Sequence, residues 1–173
     1  TTESGAAYAI EVGTFTFYAE SLSGSLVVEG QQGIKSGKLN ISYSDAVTIT
    51  ARDGIAINSK DVTVNSNDGH ITGTTYGIYS DGYKYAPHAV RLSGVIDIQS
   101  NGYGIHTSTN DAALWSDCKS LSISANTAIS CDEMHLKRGH YLFHGSTQAV
   151  IFDSFDLNYY PESNLQIISP NNG

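Results

Sequence analysis

The chain has 173 residues, with 9 Lys and Arg against 17 Asp and Glu, a formal balance of −8 at pH 7. Nine dispersed cations form no basic footprint for nucleic acid, and an acidic balance repels an anionic membrane surface. No run of about 18 apolar residues is available to insert into a bilayer.

The length suits one domain, 1–173, with a continuous core. Ser, Thr, Asn, Ile and Val dominate, 17 residues are Gly and 3 are Pro, a mixture that favours short strands joined by turns. The chain opens on a polar Thr1-Thr2-Glu3-Ser4-Gly5 without Met or an apolar signal segment. It therefore reads as a mature or excised module of a larger polypeptide.

In chain order, residues 1–8 form a lead-in, 9–154 a series of coils and 155–173 a cap around Tyr159-Tyr160-Pro161. The coils are marked by a small residue followed by an aliphatic. These marks are Ala9-Ile10, Gly33-Ile34, Gly54-Ile55, Gly77-Ile78, Gly104-Ile105, Ala128-Ile129 and Ala149-Val150, at steps of 21–27 residues. Two more alternating apolar pairs follow in most periods, such as Leu39/Ile41 with Val47/Ile49 and Val90/Leu92 with Ile96/Ile98. Alternation of this kind points one side chain in two towards a core. Turn residues separate the pairs, as in Ser66-Asn67-Asp68-Gly69 and Ser80-Asp81-Gly82.

A three-strand unit repeating at a near-constant period predicts an all-β fold, a single-stranded parallel β-helix. It is a three-sheet solenoid of about seven coils, in which each coil hydrogen-bonds its neighbours. The chirality of parallel crossovers makes it right-handed. Cys118 and Cys131 are read either as one disulfide or as small buried thiols, the second being favoured because Cys is so often buried.

Alignment of the coils on their marks stacks outward residues. The residue before each mark runs Gln32, Asp53, Tyr76, Tyr103, Thr127, Gln148, and the residue after it Glu11, Lys35, Ala56, Tyr79, His106, Ser130, Ile151. Tyr76, Tyr79, Tyr103 and His106 thereby fall in one exposed patch. The long excursion after Asp81 adds Tyr83 and Tyr85. Aromatic faces pack on the C–H faces of sugars while phenol and imidazole edges hydrogen-bond hydroxyls. The same rings also suit mere Tyr–Tyr stacking between coils or a protein-partner surface.

The coils resemble the pectate-lyase-like right-handed β-helix superfamily, and more narrowly bacterial β-helix carbohydrate-binding proteins. The text that carries the resemblance is Arg52-Asp53-Gly54-Ile55-Ala56-Ile57 with Asp61-Val62-Thr63-Val64, and Tyr103-Gly104-Ile105 with Val95-Ile96-Asp97-Ile98. It implies an extracellular or cell-surface protein that binds a pectic or cellulosic polysaccharide, with calcium as an accompanying ligand. No cofactor is required for that reading. Arg91, Lys35 and Asp53 are secondary candidates, the cations matching uronic carboxylates. Asp45 and Asp68 lie one period apart, and Asp81 and Asp111 both follow the first strand of their coils, the second pair being a weak calcium candidate; a turn Asp otherwise bonds its own backbone.

A polysaccharide-degrading enzyme is the competing expectation, and a structural or adhesive stalk a third. Outward second-strand positions read Asn40, Thr63, Arg91 and His135, with no acid. The adjacent pair Asp132-Glu133 lies beside a strand, where neighbouring side chains diverge. Two cooperating carboxylates, as glycosidic cleavage requires, cannot be assembled from these columns, so the non-catalytic reading leads.

Overall fold

The computed structural model describes residues 7–18, 24–82, 89–108, 112–157 and 163–170, leaving aside the side chains of 43, 44 and 155–157. Twelve strands occupy those segments: β1 Tyr8–Tyr18, β2 Ser25–Gly30, β3 Gln32–Ala51, β4 Ile55–Gly73, β5 Tyr76–Ser80, β6 Val90–Ser100, β7 Tyr103–Thr107, β8 Ala113–Ser130, β9 Glu133–Leu136, β10 His140–Ile151, β11 Ser154–Leu157 and β12 Asn164–Ile168. Every pairing between them is parallel. The fold is a right-handed parallel β-helix of about six turns. The first stack has seven rungs, which bound six turns, slightly fewer than the seven coils expected; six of the seven marks read from the sequence fall on those rungs. At about 4.8 Å per coil the rod spans roughly 29 Å.

Three stacks of strands run along the rod. The first holds Ile10, Ile34, Ile57, Ile78, Ile105, Ile129 and Val150 in one register. The second holds Phe15, Leu39, Val62, Val90, Leu114 and Met134, and the third Val47, Gly69, Ile96, Leu121, Tyr141 and Leu165. The strands of β3, β4 and β8 bend through more than one stack without a break. Register shifts fall between the second and third stacks at Ile41/Ser44, Ser66/Gly69 and Gly94/Val95, and between the third and first at Gly145/Gln148. Because the period along a strand is two, each aliphatic enters the core and its neighbours face outwards. Ile34, Leu39, Ile49, Ile57, Ile78, Ile105 and Phe143 are fully enclosed.

A buried hydroxyl column lines the corner after the first stack: Ser36, Ser59, Ser80 and Thr107. Ser36 Oγ donates to Ser59 Oγ at 3.1 Å, Ser59 to the Asp61 carbonyl at 3.0 Å and Ser80 to the Lys60 carbonyl at 3.0 Å. Buried polar atoms must be paired, and here hydroxyls satisfy one another and the bending backbone. Cys118 and Cys131 are free and buried, and burial pushes both thiols up to about 12.

The coordinates correct the coil alignment at one place. Ile34 pairs with Ile57, and Ile55 pairs with Tyr76, so the third mark is Ala56-Ile57. Gly54 belongs instead to the preceding turn, with φ of 125° that L side chains rarely adopt. Its carbonyl accepts from Thr75 N at 2.9 Å, and the Thr75 carbonyl accepts from Tyr103 N at 2.8 Å, a ladder of turns stacked on turns. A glycine followed by an aliphatic therefore served two different backbone needs, and the sequence text alone does not separate them.

Candidate functional site

The short strands β5 and β7 break simple alternation. In Tyr76-Gly77-Ile78-Tyr79 and Tyr103-Gly104-Ile105-His106 the two central residues are both buried and the flanking rings both half-exposed. Glycine permits this, since a Cβ at Gly77 or Gly104 would collide with the Cγ2 methyl of Ile98 or Ile123 respectively. Residues three apart on a strand would ordinarily face opposite sides. The inward glycine instead turns both rings of each pair to the same surface.

Pairing of Tyr76 with Tyr103 and of Tyr79 with His106 brings the four rings together. Tyr76 and Tyr103 stack at 5.4 Å between centroids with 13° between planes. Tyr79 meets Tyr76 edge-on at 5.2 Å, and His106 lies 4.9 Å from Tyr103 and 5.8 Å from Tyr79. Tyr79 Oη donates to Ser108 Oγ at 3.2 Å. Partial burial, then the neighbouring phenols of Tyr103 and Tyr79, raise the Tyr76 phenol above its ordinary value, so it remains a hydroxyl donor. Burial lowers His106, and its Nδ1 has no hydrogen-bond partner among the described residues. A neutral ring therefore faces the tyrosines at neutral pH.

On the corrected alignment Asn58, not Ala56, sits between Lys35 and Tyr79 in the outer column. Lys35 occupies that column too, but its Nζ is 2.7 Å from Glu11 Oε1 and 5.5 Å from the centre of the Tyr8 ring. It is thus engaged two rungs away from Tyr79. Asp53 lies in the turn beside Gly54, not above Gln32 and below Tyr76, because the mark it was aligned on belongs to the turn ladder. Arg91 stands on the second stack, between Thr63 and Trp115, away from the tyrosine columns.

Tyr83, Tyr85 and Asp111 lie outside the described residues. Asp81 is exposed and lines an open cleft of about 480 Å³ with Glu11, Lys35, Asn58 and Lys60. Among the described residues no three His, Cys, Asp or Glu side chains converge as a metal site. Among the described residues no helix is long and apolar enough to cross a membrane.

Trp115 was not among the residues singled out from the sequence. It completes the second-stack outer column, and His135 stacks on it at 4.2 Å. The spacing of Leu114 against Val90 would have placed it there, since the inward column fixes the outward one. No family model, curated protein or solved structure matches the chain. The parallel β-helix follows from the strand pairings, and the superfamily resemblance rests on the coil text alone.

Proposed function

We propose that this protein is a non-catalytic carbohydrate-binding module that receives an extended polysaccharide along the outer face of its first stack. The observation that carries the reading is the ring cluster of Tyr76, Tyr79, Tyr103 and His106, presented together by two inward glycines. Rings held by a rigid sheet lose little freedom on binding, and stacked phenols offer an apolar surface rimmed by hydroxyl edges. A sugar chain has the complementary character, with C–H faces and hydroxyl rims. The resemblance to bacterial β-helix carbohydrate-binding proteins supports an extracellular or cell-surface setting and a pectic or cellulosic ligand.

The test is affinity electrophoresis through pectic and cellulosic polysaccharides, run with and without a calcium chelator. Retention by at least one glycan, reduced tenfold or more in Tyr79→Ala and Tyr103→Ala with an unchanged circular dichroism spectrum, is the expected result. Wild-type retention in both folded variants would remove the aromatic face from the reading. Release of new reducing ends or unsaturated products would replace binding by catalysis.

A further inference from the structure

The two ends of the rod are built alike. Ile10, Phe15 and Leu26 begin the three stacks, and Val150, Phe155 and Leu165 end them. Phe15 follows Ile10 by five residues as Phe155 follows Val150, and Leu26 and Leu165 come eleven and ten residues later. Among the described residues each end strand is bonded on one side only: β1 and β2 to β3, β11 to β9 and β12 to β10. Of the nine large apolar side chains exposed among the described residues, all but Val95 and Leu142 belong to the first or last coil. Val12 is 43% exposed and Ile167 49%, yet they stand in the columns of the buried Ser36 and Phe143.

We infer that these ends dock on each other, the last coil of one copy receiving the first coil of the next, so that the chain assembles head to tail with itself. Within the chain every inner coil already accepts such a parallel partner. The same step continued past the last coil sets Ile10 on Val150, Leu26 on Leu165 and Val28 on Ile167. It also sets Val12 on Phe152, since these two follow Glu11 and Ile151 of one outer column. Soluble sheets blunt an open edge with Lys, Pro or unanswered charge. β1 and β12 hold neither Lys nor Pro, β12 has no charge at all, and β11 adds only Asp156. The acids of β1 and β2 are answered from the next rung, Glu11 by Lys35 at 2.7 Å and Glu29 by Arg52 at 3.4 Å. These strands offer 11 and 6 residues, approaching the roughly 20–30 residues a side of a stable interface. A contact between unlike surfaces is not closed by a two-fold axis, so it propagates. Seven rungs per copy give an axial repeat of about 34 Å, at which the ring cluster recurs. The contact uses no residue of that cluster and holds whatever the rings bind.

Sedimentation velocity of the full chain at neutral pH, across a wide range of concentration, tests the contact. The weight-average mass is expected to rise with concentration through dimer and trimer without a plateau. Added salt strengthens the rise by screening the repulsion between copies of net charge −8. Val12→Lys and Ile167→Lys place a charge at opposite ends, and each alone is expected to be monomeric. Mixed together they form one contact and stop at dimer, because each variant keeps the end that the other lacks. A wild-type chain that stays monomeric at every concentration and salt overturns the assignment. So does a wild-type mass that halts at dimer, which marks a closed symmetric contact. Two variants with native circular dichroism that assemble like wild type, or whose mixture remains monomeric while wild type assembles, overturn it as well. Where either variant loses its native spectrum, the wild-type mass decides alone.

Discussion

The outer face of the first stack has two halves built on one backbone. In the early coils Lys35 pairs with Glu11 at 2.7 Å and lies over the Tyr8 ring, while Asn58 Nδ2 donates to Tyr8 Oη at 2.8 Å. In the later coils the same columns hold Tyr76, Tyr79, Tyr103 and His106, whose rings pack on each other while remaining half-exposed. Beneath both halves runs the same aliphatic ladder. A solenoid therefore separates its interior from its surface: coils repeat inside to stack, and differ outside without disturbing the stack. The early half is polar and answered by its own neighbours. The later half is an apolar plane with polar edges, which is the character a sugar ring meets best.

That contrast can be broken most severely from beneath. Ile105→Ala empties a fully enclosed position under the ring cluster, and a loss of about 2–5 kcal/mol is expected in urea or guanidinium unfolding. If the two halves share one interior, Ile34→Ala under the charged half costs a similar amount. A cost confined to one half would show that the coils do not stack as a cooperative unit.

A smaller effect separates the surfaces. Removing the Tyr103 ring eliminates its contacts with Tyr76 and His106, and each aromatic pair contributes about 0.5–1.5 kcal/mol beyond area burial. Tyr103→Ala is therefore expected to lower thermal stability by less than Ile105→Ala while abolishing most glycan retention. Equal losses of stability and binding would mean that the rings are only packing.

The pH dependence is smaller again and has a definite sign. Burial holds His106 below its ordinary value of 6.5 in the folded protein. On acidification the unfolded chain takes up a proton at this position before the folded protein does. The histidine's contribution to stability is thus complete above the unfolded value and declines as pH falls towards the folded one. Thermal unfolding between pH 7.5 and 5 should show a slope that is reduced in His106→Gln. An unchanged slope would place the titration elsewhere.

The least effect is expected in the early half. The Lys35–Glu11 pair is exposed on both sides, and such pairs are screened by water and salt. Glu11→Gln should leave the unfolding midpoint unmoved within error, and a clear drop would mean that the charged half is as integrated as the aromatic one.

Much of this was legible from residue order. Ile10, Ile34, Ile78, Ile105, Ile129 and Val150 were aligned correctly, and with them the ring cluster, because a column of enclosed aliphatics dictates which side chains point out. The alignment failed at Gly54, where a left-handed turn glycine stood two residues before the true mark. That slip misplaced Asp53 and put Ala56 in the outer column in place of Asn58. Trp115 escapes the same rule, because the inward positions beside it are Leu114 and Ser116, and no alternating apolar pair marks that strand.

The sequence by itself determined the repeat, the parallel β-helix and the pair of columns that bring four rings together. Hydrophobic periodicity is a local signal that survives without coordinates. Only the tertiary structure decided which glycines are turns and which are close approaches, and that the His135 ring stacks on Trp115. Those choices depend on backbone dihedrals and on which of three stacks a strand joins. Side chains distant in the chain settle both, by filling or refusing the same space.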